Sequence, residues 1–216
     1  MASVAHPWEA DAMRVAGIDV GARQLHAVVL DGNTGMAQAR AFAAGDNEIL
    51  GWVAGAVAVG VDAPDRWSTA PHVDNLSLPP KFRSARCAEI GLGRCHRIWV
   101  PWTTPVNPTS GSWIDVGIRL FSALRAEGHQ PLEAFPHAAF RVLNLRRRPP
   151  SKRTLAGLEA RVALLRGAGL TALGLDAWDH DALDAAAAAL VALRHTQGRA
   201  VAATCGHDGS AIWLPR

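Results

Sequence analysis

Long hydrophobic runs are missing from this 216-residue chain. The nearest, Ala185–Leu193, is too short and too rich in alanine to span a bilayer, and Asp184 and Arg194 bracket it. The opening residues hold neither a basic n-region nor a long apolar segment, so no signal peptide is expected. Residues 1–12 read as a loose extension ahead of a first strand. Cysteine is scarce: Cys87, Cys95 and Cys205 are odd in number and follow no zinc-ligand spacing. Free thiols in a reducing cytoplasm are the expectation. Also lacking are a Gly-x-Ser-x-Gly elbow, a P-loop, a dinucleotide fingerprint, internal repeats and a low-complexity linker.

What is present supports a packed core. Hydrophobic residues make up 49% of the chain and charged residues 19%, which argues against disorder. The length fits one domain carrying a large insertion. The net charge of +3 conceals a segregation. Residues 81–166 hold 15 Lys and Arg against 5 Asp and Glu, whereas residues 1–80 hold 4 against 9 and residues 167–216 hold 3 against 5. An acidic centre built from the two ends, surrounded by a basic middle, would suit an anionic substrate. A merely solvated basic surface explains the same numbers.

In chain order, Val15–Val20 reads as a buried strand closed by Gly21. Gln24–Leu30 reads as a second strand and Met36–Phe42 as a third, with Asp31-Gly32-Asn33 as the turn between them. Asp46-Asn47 can cap a helix to about Ala56. Val57–Val61 is a continuous apolar run, as in a strand buried on both faces. Residues 63–112 are loop-rich, broken by six prolines after Pro64, with one short helix expected around Ser84–Gly91; insertions of this kind are often lids or binding loops. Ser112–Glu127 has helical spacing and is stopped by Gly128. Pro131–Phe135 reads as a fifth strand. A basic loop, Arg146–Arg153, precedes a helix capped by Thr154 or Ser151, and Asp179 can cap a last helix over about His180–His195. Ala211–Leu214 is a short final strand.

Carboxylates in apolar settings carry the chemistry. Asp19 sits inside a would-be buried strand, where an unpaired charge is costly. A hard divalent cation or a capped turn would each explain it. Asp62 ends a strand before Ala63-Pro64, a position typical of ligand sites in α/β sheets and also of an Asx-turn. Glu133 lies within an apolar run. Asp181 and Asp184 are spaced i,i+3 on one helix face. Asp181 has an ordinary explanation in the helix dipole, Asp184 less so. The alanines after Asp184 would let that helix lie close on a sheet and aim both acids at the strand ends. Such a set suits two-metal hydrolysis of a phosphodiester, which needs no nucleophile from the chain.

The order β-β-β-α-β, with these acids in these places, resembles the RNase H-like fold. His180-Asp181-Ala182-Leu183-Asp184-Ala185 resembles the acidic helix start of RuvC-type resolvases. More closely, the chain is similar to a family of unknown function described as predicted RNase H-like nucleases. The matching segments are Gly17-Ile18-Asp19, Val61–Pro64, Arg86–Glu89, Glu133–Pro136, Lys152-Arg153 with Gly157 and Arg161, Asp181–Ala185 and Gly209–Pro215. The resemblance implies an α/β fold with a mixed five-stranded sheet, three strands antiparallel and the rest parallel, flanked by helices. It also implies a Mg²⁺- or Mn²⁺-dependent nuclease acting on DNA or RNA, with Asp19, Asp62, Asp181 and Asp184 as ligands and Glu133 as a further catalytic acid. One departure is the shorter Asp62 where such resolvases carry glutamate. Arg86, Glu89, Lys152, Arg153 and Arg161 are candidate substrate contacts, Arg161 alternatively a surface partner of Glu159. Trp67, Trp99, Trp102 and Trp113 can stack on unpaired bases or simply pack. Two other readings stay open. One is a binding protein that has lost the chemistry; the other is a metal-dependent hydrolase of a small phosphorylated metabolite under a closed lid.

Overall fold

A computed structural model describes residues 13–216; the extension expected over residues 1–12 lies outside them. The central sheet has five strands: β1 (Arg14–Val20), β2 (Gln24–Asp31), β3 (Ala37–Ala43), β4 (Ala58–Asp62) and β5 (Pro131–Glu133). Their order is β3-β2-β1-β4-β5. β1, β2 and β3 form an antiparallel meander, while β4 runs parallel to β1 and β5 parallel to β4. This is the mixed sheet that the resemblance implied.

The turns follow from local chemistry. Gly21 donates its amide to the Gln24 carbonyl at 2.9 Å, which closes the first hairpin and sets its register. In the second, the Asp31 carboxylate accepts from the amides of Asn33 (2.8 Å) and Thr34 (3.0 Å), and Gly35 takes a positive φ of 75°. That turn is longer than the Asp-Gly-Asn signal suggested, because the Asp31 side chain holds it open as a cap.

Helices cover both faces of the sheet. α1 (Glu48–Val53) and α4 (Trp113–Ala126) lie on one face, over Ala16, Ile18, Val20, Val59 and Val61. α5 (Pro136–Leu143), α6 (Leu155–Gly167) and α7 (His180–Thr196) lie on the other, over Val15, Val28, Leu30 and Ala58. Side chains on a strand alternate between faces, so odd residues of β1 face α7 and even residues face α4. Three helix starts match the sequence reading. Ser112 caps α4 by accepting from Asp115, Thr154 caps α6 by accepting from Gly157, and Asp179 caps α7 by accepting from Ala182.

Residues 63–112 contain more helix than expected: α2 (Pro80–Arg83) and α3 (Cys87–His96). Arg86 is the N-cap of α3, where the Glu89 side chain reaches back to the Arg86 amide. Two further elements were not anticipated. α5 starts at Pro136, where proline occupies the first helical turn instead of ending the chain's order. β6 (Ala200–Ala203) is the other; it pairs in a separate hairpin with β7 (Ile212–Pro215), the final strand expected over Ala211–Leu214, and packs with α3 around Leu92, Ile98 and Phe135. Among the described residues, no helix is long and apolar enough to cross a membrane.

Candidate functional site

Register brings the first acids together. Asp19 on β1 stands directly opposite Asp62 on parallel β4 and His26 on antiparallel β2. Residues opposite one another across a ladder project to the same face. All three therefore point to the α7 side, at the end of β1 and β4 where α7 begins.

Two glycines let α7 come close enough to complete the set. Gly17 and Gly60 are register partners. A Cβ on Gly17 would stand 2.1 Å from both the Ala185 carbonyl oxygen and the Ala189 nitrogen, and one on Gly60 would stand 2.2 Å from the Ala188 carbonyl oxygen. The buried stripe Ala185–Ala189 supplies the matching small surface. The start of α7 is thereby laid over the carboxyl ends of β1 and β4, which carries Asp181 and Asp184 to Asp19 and Asp62. Ligating atoms of Asp19, His26 and Asp181 lie within 4.8 Å of one another.

The electrostatics record this crowding. Asp19 and Asp62 hydrogen-bond to each other through their carboxyl groups. Desolvation, with the charges of Asp184 and Asp181, raises Asp19 to about 7. Desolvation, with Asp19 and Asp184, holds Asp62 well above the usual carboxylate range. Burial also raises Asp184, although Lys152 opposes it. The Lys152 ammonium donates to Asp184 Oδ2 at 2.5 Å and lies 3.8 Å from Asp181 Oδ1. Burial would lower Lys152, but the attraction of Asp184, Asp19 and Asp181 outweighs it and raises the group. His180 Nδ1 lies 2.5 Å from Asp181 Oδ1. The chain thus places one lysine cation among four acids. Oxygen donors with one imidazole at the edge are a set that a hard divalent cation also fits.

These acids open into a cleft of about 1710 Å³, also lined by Arg23, Arg141, Arg148, Lys152, Arg153 and Arg161. Five of those six cations come from the basic middle of the chain. Arg161 is buried; its guanidinium donates to the carbonyls of Pro150 (3.1 Å) and Gly157 (3.0 Å) and lies over the Phe140 ring. It braces the basic loop over α6 and is not paired with Glu159. Trp99, Trp102 and Trp113 form part of the cleft lining, and Trp102 meets Trp113 edge-on at 5.1 Å; Trp67 is not in that lining.

Three residues expected at this site stand elsewhere. Glu133 is the register partner of Val61, so it projects to the α4 face, away from Asp62. Arg86, wholly buried, grips it with two bonds, Nη1 to Oε2 at 2.7 Å and Nη2 to Oε1 at 2.6 Å. The Asp65 amide also donates to Glu133 Oε2 at 3.0 Å. Glu89, also wholly buried, accepts from Arg86, from the Thr104 amide and from the Thr104 hydroxyl. Arg86, Glu89 and Glu133 therefore form an internal network that ties residues 86–104 to β5, and none of them lines the cleft. Beside the cleft-lining Arg23, Arg141 and Arg148, one residue facing Asp19 went unread as a site residue: His26. The tight turn at Gly21 was the available signal, because a turn that short places residue 26 opposite residue 19.

The chain matches a family described as a protein of unknown function (DUF429) over residues 114–207. That stretch contains Lys152, Arg161, Asp181 and Asp184 but neither Asp19 nor Asp62. No curated protein matches the chain. Among solved structures it is similar to RuvC from Thermus thermophilus, with 16% identity, a TM-score of 0.42, and coverage of 86% of this chain and 97% of that one. By its own strand order and directions the chain is an α/β protein of RNase H-like fold, and its residues 114–207 carry the sequence pattern of that family of unknown function.

Proposed function

We propose that the cleft binds divalent metal, Mg²⁺ or Mn²⁺, and hydrolyses phosphodiester bonds in nucleic acid. The observation that carries this reading is the convergence of Asp19, Asp62, Asp181 and Asp184 at one open, basic-rimmed cleft. Asp19, Asp62, Asp181 and Asp184 would hold the metal, with His26 at its edge. Hard cations in such a site activate water and stabilise a leaving oxyanion. The chain's own part is to hold unprotonated oxygens in a fixed geometry and to bring phosphate to them. Arg148 and Arg153 are the rim cations suited to backbone phosphates, since a guanidinium fork fits two phosphate oxygens. Lys152 neutralises Asp184 and keeps positive charge beside the scissile group.

The size of the cleft supports a polymeric substrate, because pockets for small ligands enclose about 300–1,000 Å³. That size counts against a lidded site for a small metabolite.

The test is incubation of the purified chain with single-stranded, duplex and branched DNA and RNA, with and without Mn²⁺. Cleavage is expected only with metal, and Asp19→Asn or Asp184→Asn should reduce it at least about 100-fold. Cleavage unchanged by Asp19→Asn overturns the assignment. Nucleic-acid binding without cleavage or Mn²⁺ uptake marks a binding protein instead.

A further inference from the structure

A second set of metal-type donors lies outside the acidic cleft and takes no part in the chemistry proposed for it. His72, Cys87, Cys205 and His207 each present one ligand atom, and these four atoms all lie within 4.8 Å of one another. His72 Nε2 is 3.2 Å from Cys205 Sγ and 3.6 Å from Cys87 Sγ, and His207 Nδ1 is 3.7 Å from Cys87 Sγ. Zinc holds thiolate sulfur at about 2.3 Å and imidazole nitrogen at about 2.0–2.1 Å, so a tetrahedral site has N···S edges of about 3.6 Å. We propose that these four residues form a structural Zn²⁺ site that ties residues 63–112 to the β6–β7 hairpin.

The four donors come from three separate segments. His72 lies in the loop after β4, Cys87 opens α3, and Cys205 and His207 lie in the β6–β7 turn. This explains why no zinc spacing is visible in the sequence: only the Cys-x-His pair is local. Gly206 has a φ of 88°, a left-handed conformation that lets Cys205 and His207 face the same point across one residue.

The surroundings hold the four donors in place. Cys87 lies in the first turn of α3, a rigid element that fixes where its sulfur stands. The His207 amide donates to Cys87 Sγ at 3.3 Å. Asp208 fixes the turn against α3, accepting from the Cys87 amide through Oδ2 at 3.0 Å and from the Ser210 amide and hydroxyl through Oδ1. Ser210 Oγ accepts from the Ala88 amide at 3.0 Å. Such outer bonds orient first ligands before the metal arrives. Two thiolates and two neutral imidazoles around Zn²⁺ give a neutral centre, as burial of His72 and Cys87 requires. His207 is exposed and leaves a path for entry. Four protein donors would close the coordination sphere, which marks a structural ion.

The site would act on the cleft through its wall. Cys87 follows Arg86 directly, and Arg86 and Glu89 hold Thr104 and Glu133. Fixing the start of α3 to the hairpin therefore steadies the segment from Trp99 to Thr104 that borders the acids.

The experiment uses the full chain, purified under reductant without chelator. Elemental analysis is expected to find one zinc per chain, released when a mercurial blocks the thiols. Cobalt(II) exchanged into the site should give intense tetrahedral visible bands and a thiolate-to-cobalt charge-transfer band. That band should persist in Cys95→Ser and in Asp19→Asn, and should be lost in Cys205→Ser. His207→Gln, an exposed change that spares the core, should weaken zinc binding by roughly tenfold or more. Absence of both zinc and cobalt binding in the unsubstituted protein overturns the proposal. So does a charge-transfer band unchanged in Cys205→Ser.

Discussion

Gly17 and Gly60 stand side by side across β1 and β4, and each lies where any side chain would enter the backbone of α7. That contact sets the height of the whole acidic helix start above the sheet. Nothing flexible can yield there, since the atoms met at 2.1–2.2 Å are main-chain carbonyls and an amide. Gly17→Ala and Gly60→Ala should each cost about 1–3 kcal/mol or more, read by denaturant unfolding. They should also weaken Mn²⁺ binding in the folded protein, because Asp181 and Asp184 move with α7. Gly51→Ala is the contrast: its Cβ meets nothing within 4 Å in the short exposed helix α1. There alanine should stabilise by up to about 1 kcal/mol.

The raised carboxyls make stability depend on pH in a definite direction. Asp19 moves from 3.8 to about 7 on folding, so the folded chain binds that proton more tightly than the unfolded one. Its contribution is fully present below about pH 4 and is lost as pH rises toward 7. Protein dialysed free of Mg²⁺ and Mn²⁺ should therefore melt several degrees lower at about pH 8 than at about pH 5. Adding Mn²⁺ should raise Tm at the higher pH and do little at the lower. Asp62→Asn should flatten the dependence, since it removes a second carboxyl that folding holds well above the usual carboxylate range.

Lys152 is a cation already seated among these acids, and it lowers the proton affinity of Asp184 and Asp19. Lys152→Ala should raise both. Calorimetric Mn²⁺ titrations near pH 7, repeated in buffers of different ionisation enthalpy, should then show more protons released per ion than in the unsubstituted protein. An equal or smaller release would mean that the ammonium does not govern these carboxylates.

Glu133 should behave as a stability residue. Removing it leaves the Arg86 guanidinium buried without its bidentate partner, a loss of about 3–5 kcal/mol for a broken buried pair. Glu133→Ala should lower the denaturation midpoint sharply, while the fraction that remains folded keeps its Mn²⁺ affinity. A residue that held the metal would show the reverse pattern.

The meander β1–β3, the buried strand β4 and the capped helices α4, α6 and α7 were legible because each has a local cause. Alternation, an Asp or Gly at a turn, and Ser112, Thr154 or Asp179 at a helix start all act within a few residues. α5 was hidden because Pro136 ends a strand and begins a helix at once. β6 was hidden because Ala200–Ala203 carries no β-branched alternation beyond Val201.

The chain alone determined that Asp19, Asp62, Asp181 and Asp184 sit in apolar settings where a carboxylate needs a partner. Burial cost attaches to residue type and neighbours, so it can be read in one dimension. Tertiary structure decided which acids meet. One step of register turned Glu133 to the opposite face and into the hands of Arg86, because side chains alternate along a strand. It placed His26 beside Asp19, and it drew His72, Cys87, Cys205 and His207 from three segments to one point. Sequence spacing carries no record of such meetings, since they depend on how far apart the backbone lets packed elements stand.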